Sequence, residues 1–149
     1  MYTLARIASF AALAGALGLS AGCSTLAASA KYEATGQQVR LDGSKEVPPV
    51  TTSAYGTGTV NIAPDRSVVV TLSVVDMTPT AAHIHEGAAG TNGPVIVPLR
   101  KISENAFVAA DGARLTDAQY ASYKAGNLYV NVHSARFPGG EVRAQIAGR

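Results

Sequence analysis

The side chains with the most chemical promise are His83, His85 and His133, the full histidine complement of the chain. In His83-Ile84-His85 a strand's period of two sends both imidazoles to one face and Ile84 to the other. Their Cα atoms then lie roughly 6.6 Å apart, two strand rises, so the rings can converge on one metal ion. Leu128 to His133 repeats the pattern, with Leu128, Val130 and Val132 on an apolar face and Tyr129, Asn131 and His133 opposite. Val142, Ala144 and Ile146 likewise oppose Glu141, Arg143 and Gln145. If the apolar faces define the core, every histidine points out of it. A surface patch of His83, His85 and His133 then forms wherever these strands are neighbours, with Arg143, Glu86 and Asn131 placed to support the ligands or touch an anion. Three imidazoles suit Cu(II) or Zn(II), with copper favoured, and the absence of cysteine from this part of the chain excludes a blue-copper site. The same residues also read as histidines on a wet face, or as hydrogen-bond partners of the loop from Glu86 to Pro94. Parity alone does not separate these readings.

The elements that must position these rings are short strands between turns. Val39 to Leu41, Tyr55 to Ile62, Ser67 to Met77, Ala81 to His85, Val95 to Leu99, Asn105 to Ala110, Leu128 to His133 and Glu141 to Ile146 all read as strands. In Ser67 to Met77, Val68, Val70, Leu72 and Val74 alternate with Val69, Thr71, Ser73 and Val75. Pro48-Pro49 removes two N–H donors and belongs at an edge or in a loop. No crossover helices of the kind a parallel sheet needs are visible. The expected fold is mainly β, an antiparallel sandwich or barrel of about 8 strands. One helix is predicted at 117–125, plugging an end of the fold. Thr116 and Gln119 have capping-box spacing, Leu115 and Tyr120 suit a hydrophobic staple, and Gly126 stands where a left-handed residue would end the helix.

Composition bounds the rest. The 149 residues suffice for one domain with a real core. Lys and Arg number 12 against 10 Asp and Glu, they are scattered, and no basic cluster sits among aromatics, so nucleic acid is not an expected partner. There is no Gly-x-Ser-x-Gly elbow, no phosphate-binding loop ahead of a lysine and no His-Glu-x-x-His helix. The balance leans away from an enzyme.

Met1 to Gly22 reads as an export signal. Arg6 supplies the positive charge, Ile7 to Leu19 the apolar run, and Ser20-Ala21-Gly22 the small residues before Cys23. Leu19 to Cys23 resembles the bacterial lipobox, in which the cysteine is lipidated, although the large aliphatic residue stands one place further from Cys23 than usual. Cys23 is the single cysteine. The resemblance implies an exported protein, periplasmic or anchored by lipid to a bacterial envelope membrane. Residues 23–35 then form a tether and 36–149 the domain.

Three blocks resemble the CHRD (chordin-type) domain family: LDGSKEVPPVTTSAYGTG at 41–58, AHIHEGAAGTNGPVIVPL at 82–99 and LYVNVHSARFPGGEVRAQI at 128–146. LTDAQYASYKAGN at 115–127 matches the family's helix before its last histidine strand. The resemblance spans nearly the whole mature domain and implies a β-sandwich-like domain of exported proteins, of poorly defined activity. AHIHEG is also similar to the copper-binding His-Val-His-Glu stretch of copper/zinc superoxide dismutases. On that likeness His83, His85 and His133 would be copper ligands and Arg143 would guide an anion. The chain lacks a fourth histidine, a zinc set and a disulfide pair, so dismutase activity is the least favoured reading. The expectation is a copper-binding exported protein. The alternative is a non-catalytic module that binds another envelope protein or a surface polymer through a β face.

Overall fold

The computed structural model describes residues 36–149; the expected signal, Cys23 and tether lie outside them. Its strands are β1 (Gln37–Asp42), β2 (Tyr55–Ile62), β3 (Val68–Val75), β4 (Pro79–Glu86), β5 (Val95–Ser103), β6 (Ala106–Ala109), β7 (Leu128–Ser134) and β8 (Val142–Ile146), with helix α1 (Asp117–Lys124) between β6 and β7. All neighbours pair antiparallel and close into a barrel in the order β1-β2-β3-β6-β5-β4-β7-β8. Closure runs through the pairing of Asp42 with Arg143. Between the two expected architectures, the fold is therefore the barrel, which leaves no open sheet edge.

Alternation decides most of these elements. In β3, Val68, Val70, Leu72 and Val74 are buried and the residues between them exposed. The strand is shorter than expected because Arg66 and Asp76, with φ of 71° and 60°, leave the extended region at either side. Strand β5 runs past the expected Leu99 to Ser103. Its last residues, Arg100, Lys101, Ile102 and Ser103, are all exposed, so no apolar alternation marks them.

The helix forms through its capping box, the Gln119 N–H donating to Thr116 Oγ1 at 3.2 Å and the Thr116 N–H to Gln119 Oε1 at 2.8 Å. It stops one residue short of the expected Ala125, which serves as the cap, and Gly126 follows at φ 75°. Leu115 and Tyr123 join the hydrophobic core, with Tyr120 packed against it. Because α1 links the end of β6 to the start of β7, it closes the barrel end where those termini meet.

Two sets of loops complete the site's setting. The loop at 87–94 leaves the helix end; those at 43–54 and 135–141 leave the other. The first two meet where the Asn92 side chain donates to Val47 O at 2.7 Å. Pro48 and Pro49 lie in a loop, as expected. Together the loops cover the outer face of β7, which is buried at every residue.

Candidate metal centre

Strand order brings the three histidines together. β4 pairs with β7 in a register that sets His83 opposite Asn131, His85 opposite Tyr129 and Ala81 opposite His133. Directly opposed residues share a face, so all three imidazoles stand on the outer side of the barrel, as parity predicts. One ring nitrogen from each lies within 4.8 Å of the others. Ligands of one tetrahedral ion at 2.0–2.1 Å stand ~3.3 Å apart, so small side-chain shifts would complete a three-nitrogen site.

The patch is covered rather than on the surface. His85 and His133 are only 8% and 9% exposed, and His83 is half-buried. The loops that cover them also orient them. His85 Nδ1 lies 2.9 Å from Gly93 O, and His133 Nδ1 lies 3.0 Å from Pro138 O. A carbonyl only accepts, so each Nδ1 carries a proton, and in the neutral ring each Nε2 then keeps its lone pair. His83 Nδ1 stands 3.0 Å from His133 Nε2 and donates to it. His85 Nε2 is buried with no hydrogen-bond partner. Burial, then the neighbouring imidazoles, pushes the pKa of His83 below the ordinary histidine value. His133 is also lowered, chiefly by burial and further by His85, against the pull of Pro138 O. Neutral rings are the form that binds a metal.

A second layer of buried polar groups stands behind the rings. The Tyr129 ring stacks on His85, centroids 4.7 Å apart and planes 7° from parallel. The Arg143 guanidinium carbon sits 3.4 Å from the Tyr129 centroid. Arg143 is 1% exposed and donates to Thr91 O at 2.8 Å and to Asn92 Oδ1 at 3.1 Å. Of the two roles expected for it, supporting the ligands or touching an anion, a guanidinium turned to the loop and the tyrosine fits the first. Asn131 is buried beside Glu46, whose pKa burial raises to about 7 against the pull of Arg143, Asn131 and the Val47 N–H. Gly140 is required here: its φ is 129°, and a Cβ would fall onto Glu46 Oε1 and the Asn131 amide. Glu86 is not part of this group, since it accepts from Ser122 of α1.

Sequence singles out neither Glu46 nor the carbonyls of Gly93 and Pro138, although the hydrogen bond of His85 to Gly93 O is of the kind expected between the histidines and the Glu86–Pro94 loop; Tyr129 enters only as a member of the polar face. Tyr129 carried a usable signal, the same parity as His133 on β7. Gly93 and Pro138 act through backbone carbonyls, for which residue type gives no signal.

Comparison with protein families adds the lineage. A match to the CHRD domain family runs over residues 37–146. The chain belongs to that family. The match extends from the first residue of β1 to the last of β8, so it takes in all three histidines and every strand of the CHRD barrel. Comparisons with curated proteins and with solved structures returned no match.

Proposed function

We propose that this CHRD-domain protein binds one transition-metal ion through His83 Nδ1, His85 Nε2 and His133 Nε2, with copper the favoured ion and zinc the second. The observation that carries the reading is His85 Nε2, a buried lone pair without a partner, on a ring already oriented by Gly93 O. Buried acceptors are nearly always paired, and this ring belongs to a cluster in which one nitrogen from each of three imidazoles lies within 4.8 Å of the others. Hydrogen bonds from the remote nitrogen to a backbone carbonyl are the usual means of fixing a metal-binding imidazole and raising its basicity. Three neutral nitrogens without thiolate fit Cu(II) and Zn(II). Ligation by His83 Nδ1 would replace its hydrogen bond to His133 Nε2 and would require the His83 proton to sit on Nε2. The signal-like residues 1–22 and Cys23 support an exported, lipid-anchored setting in a bacterial envelope, where copper handling is chemically apt.

Calorimetric titration of the untagged protein with Cu(II) and Zn(II) tests this. One-to-one sub-micromolar binding, lost in a His85→Ala/His133→Ala variant that remains folded, is the expected result. Weak binding, or binding indifferent to those substitutions, sinks the metal reading. Superoxide turnover is worth assaying only on protein that passes.

A further inference from the structure

Arg143 has no solvent-facing role, although it is the largest fully buried side chain on the outer face of the barrel. It reaches His85 by two routes. Through the loop, its guanidinium holds Thr91 O and Asn92 Oδ1, the two residues immediately before Gly93, whose carbonyl orients His85. Through the ring, it packs on Tyr129, which stacks on His85, while the Tyr129 hydroxyl accepts from the Gly93 N–H at 3.2 Å. His85 and Arg143 come from β4 and β8, the strands on either side of β7, so Tyr129 is held from both flanks. Gln145, two residues further along β8, fixes the base of the same loop by donating to Gly87 O at 3.0 Å.

We infer that Arg143 is a positioning residue for the histidine centre, fixing the tautomer and aim of His85 through the 87–94 loop and the Tyr129 ring. The planar, forked guanidinium is what the arrangement needs: it meets two acceptors in one plane and lies flat on an aromatic face. A lysine supplies the charge but neither geometry. His133, oriented by Pro138 O, lies outside this chain of contacts.

The inference rests on the metal reading for its purpose, but it can be tested without metal. The probes are long-range nitrogen–proton NMR of the imidazoles in metal-free protein and Cu(II) titration with electron paramagnetic resonance. The variants are Arg143→Lys and, at an exposed position of the loop, Asn92→Ala. In the wild type His85 should show a single Nδ1–H tautomer. In Arg143→Lys it should become mixed while His133 keeps its own, Cu(II) affinity should fall at least about tenfold, and the nitrogen coupling pattern should change. Asn92→Ala should move the same signals less, and it carries the test should Arg143→Lys not fold. Folded variants with wild-type His85 tautomer and copper spectrum overturn the inference. So does equal disturbance of His85 and His133, which marks general loosening. A wild type that binds no Cu(II) refutes the metal reading alone, and the tautomer signals still decide the role of Arg143.

Discussion

The two outer faces of this barrel obey different rules. On β3 the outward residues Val69, Thr71, Ser73 and Val75 meet water. On β7 the outward residues Tyr129, Asn131 and His133 are as buried as the inward ones, because three loops lie over them. The inner faces of the two strands are alike, each a row of aliphatic side chains. The outer face of β3 needs only to be soluble. The outer face of β7 buries polar groups, and each must find a partner within the protein or wait for a ligand. Most are paired. His85 Nε2, Glu46 Oε1 and Asn131 Oδ1 are the buried side-chain atoms without a partner among the described residues, and all three belong to the covered face.

The covered face should be most sensitive at glycine. Gly140→Ala forces a side chain into the positive-φ region and onto Glu46 and Asn131, so it should cost about 3 kcal/mol or more in chemical denaturation. Gly112→Ala, at φ 76° in open space, should cost about 1 kcal/mol. Equal losses would show that the covered face is not closely packed.

Acid and base should act next most strongly on the covered face. Glu46 has a folded-state pKa raised to about 7 from 4.5, so between those values the native state holds a proton that the unfolded state has released. Metal-free stability should therefore fall as pH rises through that window, by up to about 3 kcal/mol, with the full penalty present above it. Glu46→Gln should remove this slope. The slope left in that variant should have the opposite sign. His83 and His133 are lowered from 6.5, so the unfolded state takes up their protons first and stability is lost as pH falls below 6.5. Denaturation at a series of pH values, with and without the substitution, checks both signs.

The smallest effects compare single polar side chains. Asn131→Ala should cost about 2 kcal/mol, since it strips a neighbour from buried Glu46 and leaves a void. Ser73→Ala, on the open face, should stay within about 0.5 kcal/mol. If the two losses match, the loops over β7 do not exclude water in solution.

Much of this was legible in the chain. The period of two in β3, β4, β7 and β8 follows from the strand's pleat, so the sequence determined which residues share a face, including the common outward side of His83, His85 and His133. Capping chemistry is equally local, and Thr116, Gln119 and Gly126 marked α1 to within a residue. Strand neighbourhood is not local: only the pairing of β4 with β7 brings the rings together, and only that of β7 with β8 brings Arg143 to Tyr129. Nor does residue type reveal that a face pointing away from the core is covered. Parity predicts a surface patch, and the loops at 43–54, 87–94 and 135–141 cover it, leaving only His83 half-buried. The carbonyls of Gly93 and Pro138, which orient two of the rings, belong to every residue's backbone. Their roles arise only when tertiary structure brings them to an imidazole.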